Sequence, residues 1–224
     1  MHSAGLDHLR DTPVWQQNIL ISSGSGIHAP QMAEHALPMM LAFRWRLPTM
    51  FQLKREATWL RPPWDIFSRP GLRGSTLGIV GYGAIGRELA RQAQALGMRL
   101  LAANRSGQRR PYHGYRLPQT GDPQTEIPER IYAADNLLEM LPVCDYVVLL
   151  APLTADTRHL FNTRAFAAMK TTAYFFNLSR GPLVDEGALI DALQRGQIAG
   201  AGLDVFEQEP LPPDSPLWSI ENLI

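Results

Sequence analysis

An α/β fold built on a doubly wound parallel sheet is predicted by three observations. The stretch from Leu77 to Arg110 runs as strand, glycine-rich turn, helix and second strand. From Ser75 onward, short apolar runs alternate with helix-like segments, the pattern of strands joined by crossover helices. The segments richest in polar chemistry each follow a predicted strand, where open α/β sheets place their ligands.

Taken in chain order, residues 1–27 read as strand and loop. Asn18 to Ser22 is a short strand candidate, followed by a turn-like Ser-Gly-Ser-Gly run from Ser23 to Gly26. A helix is expected from Pro30, because proline suits a first helical turn. Its apolar positions include Met32, Ala36, Met39, Met40 and Phe43. Pro38 inside that pattern predicts a kink or an early break, and Pro48 marks an end. Met50 to Trp59 reads as a second helical piece. Residues 60–73, rich in proline and aromatics, read as an extended arm or linker.

Beyond Ser75 the predicted strands are Thr76–Val80, Arg99–Ala103, Tyr146–Leu150, Tyr174–Asn177 and Gly200–Asp204. The predicted helices are Ala84–Leu96, Asn136–Leu141, Thr163–Met169 and Glu186–Arg195. Asp135 and Asp185 stand where N-caps are expected. Residues 105–130 form a long loop with Gly, Pro, Gln and Thr, of a length that is usually functional or mobile.

Gly81, Gly83 and Gly86 make G-x-G-x-x-G. A tight βα turn alone would explain the glycines, but the strand before and the helix and strand after point to a dinucleotide site. Gly81 would allow the turn, Gly83 a close approach of pyrophosphate, and Gly86 close packing of helix on strand. The helix N-terminus would offer free N–H groups and a partial positive charge to the phosphates. About 20 residues past such glycines, a site for NAD places Asp or Glu on the ribose 2′-hydroxyl. Here that place holds the uncharged Asn104, followed by Arg105 and Ser106, with Arg109 and Arg110 nearby. A carboxylate would repel the 2′-phosphate of NADP; a guanidinium and a hydroxyl would bind it. NADP(H) is therefore the expected preference, with NAD(H) as the alternative.

The bulk properties narrow the class. Formal net charge is zero, which gives no footprint for nucleic acid. No apolar run approaches a membrane span, and the N-terminus lacks the basic flank and apolar core of a signal peptide. One cysteine, Cys144, excludes an intrachain disulfide framework and reads as a small core residue. No Cys or His spacing suggests a metal site. A cytoplasmic location suits these facts.

Three further stretches follow predicted strands: LAPLTADT from Leu150, NLSRGPLVDE from Asn177, and GLDVFEQEP from Gly202. Pro152, Arg180 and Asp204 should point into the dinucleotide crevice. With LGIVGYGAIGR, these motifs in this order and spacing strongly resemble the D-isomer-specific 2-hydroxyacid dehydrogenases, over nearly the whole chain. The resemblance, nearest to the NADP-dependent glyoxylate/hydroxypyruvate reductase type, implies hydride transfer between the nicotinamide and a small 2-keto or D-2-hydroxy acid. It implies that Arg180 binds the substrate carboxylate and carbonyl, a task suited to a forked guanidinium. It implies that Asp204 holds the nicotinamide carboxamide and that Glu209 orients a catalytic histidine. Gly83, Ala84 and Ile85, with Tyr82 between the glycines, would meet the pyrophosphate. Pro152, Thr157, Leu178 and Ser179 would line the cofactor pocket. The run SAGLDHL from Ser3 resembles the family's substrate-carboxylate loop, so backbone N–H groups of Ala4 and Gly5 are expected at the substrate. A homodimer is implied, with the 60–73 arm suited to it.

The chain departs from the family pattern at both ends. No histidine follows Glu209; the six stand at 2, 8, 28, 35, 113 and 159. His159 is expected on a surface helix. A missing general acid typically removes about 10²–10⁴ in rate. The expectation is a central piece of a longer enzyme. Residues 1–50 would be the remnant of a flavodoxin-like substrate domain with its crossover helix, 51–74 a linker or arm, and 75–224 the dinucleotide-binding domain. The apolar face of residues 30–46 would then be left uncovered and prone to association. The alternatives are a catalytically silent NAD(P)-binding sensor or scaffold, or a truncated, inactive gene product.

Overall fold

The computed structural model describes residues 5–6, 9, 12–60 and 71–224. Ala4 and most of the proposed arm lie outside the described residues. Six parallel strands form one sheet in the order β3-β2-β1-β4-β5-β6. They are β1 (Thr76–Val80), β2 (Arg99–Asn104), β3 (Arg130–Ala133), β4 (Tyr146–Leu149), β5 (Tyr174–Asn177) and β6 (Gly200–Leu203). The direction of winding reverses between β1 and β4, which pair in register from Leu77↔Tyr146 to Val80↔Leu149. This is the doubly wound Rossmann arrangement, and its switch point is the expected ligand crevice.

Five strands and their crossovers match the sequence reading; β3 was not expected. Its four residues, RIYA, carry a short apolar signal at the end of the long loop, and only pairing with Leu101–Asn104 of β2 makes them a strand. Asn18–Ser22, read as a strand, is not one. It runs outside the sheet, with Ile19 52% and Leu20 97% exposed.

The N-terminal helices also differ from expectation. Helix α1 (Ala29–Arg44) continues through Pro38, and Pro48 opens α2 (Leu47–Arg55) instead of marking an end. Proline is tolerated in a first turn because that N–H has no intrahelical acceptor. The face of α1 expected to lie uncovered is buried. Ala33, Ala36, Met39 and Met40 share a core with Leu77 and Ile79 of β1, Phe176 of β5, and Leu89 and Ala90 of α3 (Ala84–Ala95). Phe43 stacks on Tyr174 with ring centroids 5.0 Å apart. Met39 closes over Gly202, and Phe43 over Gly200, where the missing Cβ atoms make room. One sheet face is thus covered by α1 and α3 together.

The other face is covered by α4 (Leu137–Met140), α5 (Thr163–Ala168) and α6 (Glu186–Gln194) around Phe161, Phe166 and Phe175. Asp185 caps α6 as expected, accepting from the N–H of Ala188 at 3.0 Å. Asp135 caps nothing: it lies inside a short 3-10 turn, Ala134–Asn136, with no side-chain cap. Asn162 caps α5 instead, accepting from Arg164 and Ala165. Among the described residues, no helix is long and apolar enough to cross a membrane.

Candidate active site

At the switch point, the carboxyl ends of β1, β4 and β5 frame a crevice of about 410 Å³. Its walls are Gly81, Gly83–Gly86, Leu150–Thr154 and Leu178–Arg180, with Gly5, Leu6, Trp15, Ser25 and Gly26 along one rim.

The glycine turn is shaped as its sequence predicts. Gly81 has φ +104, and a Cβ there would stand 2.5 Å from the amide nitrogen of Ala151. Both the left-handed backbone and the close approach to the β4 loop require glycine. Gly86 lies against the carbonyl of Gly81, with 2.5 Å available to a Cβ, which seats α3 on β1. Gly83 differs from both: nothing stands within 4 Å of its Cβ position, and it is exposed. It is also the N-cap of α3, where no side chain caps the helix and no acidic residue occupies the first turn. An open approach to uncapped amides fits an anionic group such as a pyrophosphate.

Tyr82 is not part of the wall. Its ring is buried and its hydroxyl donates to Oδ2 of Asp122 at 2.7 Å. Burial, and next the Asp122 carboxylate, push its ionisation far above the usual tyrosine range. Arg87, buried one turn further along α3, donates to the carbonyl of Asp122, to Oγ1 of Thr125 at 2.7 Å and to the carbonyl of Arg110 at 3.0 Å. Buried Glu88 accepts the N–H of Gly121 at 2.6 Å and pairs with Arg91. Sequence reasoning missed this group; a polar Arg-Glu pair inside the predicted helix was its only signal. It makes the long 105–130 loop a docked structure.

The N–H of Gly81 donates to the carbonyl of Ala103, so the turn after β2 begins beside the glycines. Asn104 shapes that turn: its Oδ1 accepts from the N–H groups of Ser106 (3.1 Å) and Gly107 (2.8 Å), and its Nδ2 donates to Gln108. Arg105 is exposed at the tip. Arg109 donates to the carbonyls of Thr125 and Pro128, so it is committed to the loop, while Arg110 donates to Gln108 at 3.2 Å.

On the other side, Asn177 is buried at the end of β5. Its Oδ1 accepts from the N–H of Ser179 and its Nδ2 donates to the carbonyl of Arg180. This turn holds half-buried Arg180 at the crevice wall; sequence reasoning read Asn177 only as a strand end. The Ser179 hydroxyl donates to the Ala151 carbonyl, tying the β5 loop to the β4 loop. Thr157 stands behind the wall, donating to the carbonyl of Pro152 at 2.7 Å and closing a capping box with Thr154.

Asp204 and Glu209 lie on the loop after β6, outside the crevice wall. Asp204 is exposed, 3.3 Å from Nε2 of His35 on α1. Glu209 accepts the N–H of Phe206 at 3.0 Å. His159 is not on a helix: its φ is +51, and it bonds Glu207 at 2.8 Å. Among the described residues, no group of His, Cys, Asp or Glu could hold a metal ion.

A crevice at the switch point, beside an open glycine turn and with Arg180 on its wall, defines an α/β protein of the dinucleotide-binding class. Residues 37–224 match the family described as D-isomer specific 2-hydroxyacid dehydrogenase, NAD binding domain, and the chain belongs to that family. It is 35% identical to a glyoxylate reductase of Thermofilum pendens over 226 residues, covering 100% of this chain and 62% of that one. It is 36% identical to glyoxylate/hydroxypyruvate reductase B of Salmonella newport, covering 99% and 64%. A D-isomer specific 2-hydroxyacid dehydrogenase from Xanthobacter autotrophicus, solved with NADPH and MES, superposes with a TM-score of 0.80 at 30% identity, covering 99% and 64%. The chain thus spans less than two thirds of the length of these relatives.

Proposed function

We propose that this chain binds NADP(H) at the switch point and takes part in hydride transfer between that cofactor and a small 2-keto or D-2-hydroxy acid. The observation that carries the reading is one crevice joining the open Gly83 turn to Arg180. Gly83, Ala84, Ile85 and the α3 amides would hold the pyrophosphate, while Gly81 and Gly86 keep the turn in place. Pro152, Leu178 and Ser179 would line the nicotinamide end, with Thr157 bracing Pro152 from behind and Asp204 meeting the carboxamide. When bound, the cofactor supplies or accepts the hydride.

The chain's own residues supply binding and charge. Arg180 would fork onto the substrate carboxylate and stabilise negative charge developing on the carbonyl oxygen. Backbone N–H groups of Ala4 and Gly5 would assist at the carboxylate. Glu209 would orient and stabilise an imidazolium acting as general acid. No histidine stands between Glu209 and Ile224, so the reading assigns proton transfer to no described residue. Arg105 and Ser106, on the turn shaped by Asn104, would receive the 2′-phosphate; NAD(H) would lose those contacts. The NADPH complex of the Xanthobacter relative supports this preference. The reading also keeps residues 1–50 as part of a substrate-binding unit and a homodimer as the assembly.

Titration of the chain with NADPH and NADH, followed by NADPH oxidation assays with glyoxylate and hydroxypyruvate, tests the reading. Binding of NADPH in preference to NADH, lost selectively in Arg105→Ala, supports it. Equal loss for both cofactors removes the 2′-phosphate role. Binding with no hydride transfer to any keto acid favours a nucleotide-responsive binding protein.

A further inference from the structure

The Arg105–Arg110 loop is held at both ends. At its start, Asn104 gathers the N–H groups of Ser106 and Gly107, and Gly107 (φ +69) sits against Ala133 at the end of β3, with 2.9 Å available to a Cβ. At its finish, the carbonyl of Arg110 accepts from both Arg87 and the Thr125 hydroxyl. Arg87 is 6% exposed and serves three acceptors, one in this loop (the Arg110 carbonyl) and two in the 122–125 stretch that packs against it (the Asp122 carbonyl and Thr125 Oγ1), with its guanidinium over the rings of Tyr82 (4.9 Å) and Tyr112 (5.2 Å). Tyr82, inside the glycine motif, donates to Asp122 on the same 122–125 stretch. Asp122 in turn collects the N–H groups of Glu126 and Ile127.

We propose that Arg87, with Tyr82 and Asp122, is a positioning device for adenosine 2′-phosphate recognition: it holds the Arg105–Arg110 loop at a set place relative to the phosphate-binding glycine turn. The inference rests on the NADP(H) reading above. Arg87 does not meet the cofactor; it acts through the backbone of the loop that carries Arg105 and Ser106. An exposed arginine on a loop that wanders loses orientation as well as entropy when it binds, so fastening the loop raises affinity without adding a contact. A guanidinium suits the task because its fixed fork spans several carbonyls at once, which an ammonium does not.

The test is calorimetric titration of the full chain with 2′,5′-ADP and, separately, 5′-AMP, which share the adenosine and differ in the 2′-phosphate. The variants are Arg87→Met, Arg87→Lys and Tyr82→Phe, the last removing one hydroxyl only. The expected result is a loss of about tenfold or more in 2′,5′-ADP affinity for Arg87→Met, on the scale of one charge-assisted contact. The change for 5′-AMP should be under about threefold, with a smaller selective loss in Tyr82→Phe and partial rescue in Arg87→Lys. If wild type favours 2′,5′-ADP and folded Arg87→Met and Tyr82→Phe both keep that preference, the positioning role is overturned while the cofactor reading stands. If Arg87→Met does not fold and Tyr82→Phe weakens both ligands equally, the network is structural only and the proposal is overturned. If wild type shows no preference for the 2′-phosphate, the reading and the proposal fall together.

Discussion

Gly181 packs on the carbonyl of Phe206 so closely that a Cβ on it would stand 1.8 Å from that oxygen. The loop after β5 and the loop after β6 therefore run side by side, which brings the Arg180 and Glu209 segments to one end of the sheet. Asn177 fixes the first loop through Arg180's own carbonyl, and Glu209 braces the second through the N–H of Phe206. The N–H of Asp204 donates to the carbonyl of Asn177 at 3.0 Å, joining the two at their roots.

Gly181→Ala is expected to force these loops apart. Overpacking of this kind costs about 1–3 kcal/mol, and the contact is with backbone, which yields less than a side chain. Denaturant unfolding should show that loss. Unchanged stability would mean that the loops separate at no cost.

The first two motif glycines, Gly81 and Gly83, should separate stability from binding. Gly81→Ala meets both a left-handed φ and a 2.5 Å approach to Ala151, so it should lower the melting temperature. Gly83→Ala adds a methyl in open space at a helix N-cap, a change costing less than about 1 kcal/mol. It should nevertheless weaken dinucleotide binding at least about tenfold, one contact's worth, because the methyl enters the path of the phosphates. A Gly83→Ala protein that binds NADPH normally would place the pyrophosphate elsewhere.

Cys144 should be inert in the folded protein. Burial raises its thiol to about 12, offset partly by Lys170 and reinforced by Asp145, and its Sγ lies 3.3 Å from the Met140 carbonyl. A thiolate-directed reagent at neutral pH should label it only on unfolding. Labelling rates that rise with denaturant along the unfolding curve are expected; fast labelling of native protein would contradict the burial.

Glu88 should make the fold acid-sensitive. Burial alone would raise its carboxyl, but the Arg91 guanidinium, the Gly121 N–H and the Gln92 amide outweigh it and hold the group below the usual carboxylate range. A depressed folded-state value contributes stability that is present above the unfolded value, about 4.3. That contribution is lost as pH falls through the lower folded value. Glu88→Gln should therefore be less stable near neutrality and lose less stability on acidification. Parallel stability–pH curves for the two proteins would refute the assignment.

Much of the sheet and the glycine turn is legible in the residues, because both depend on local pattern. Leu77–Val80 reads as a buried strand from its own apolar run, and Gly81, Gly83 and Gly86 have backbone reasons that hold wherever a strand meets a helix in this way. Arg180 directly follows a strand and stands on the crevice wall, whereas Asp204, which also follows a strand, lies outside that wall beside His35. By contrast, β3 depends on pairing with β2, and Asn18–Ser22 fails as a strand because nothing pairs with it. Pro38 predicts a kink or an early break, yet packing of Ala33, Ala36, Met39 and Met40 on the sheet keeps α1 unbroken from Ala29 to Arg44.

By itself, then, the sequence determined the doubly wound class, the glycine turn and the family, since these rest on short-range spacing and on motifs read together. The tertiary structure decided what α1 covers and that the 105–130 loop is docked. It decided too that Arg109 bonds the carbonyls of Thr125 and Pro128 while Arg105 is exposed at a tip. The reason is physical: a guanidinium is equally suited to a ligand's phosphate and to a neighbour's carbonyl. Which it meets is set by residues such as Asp122 and Thr125, distant in sequence from the turn they fasten to the glycine motif.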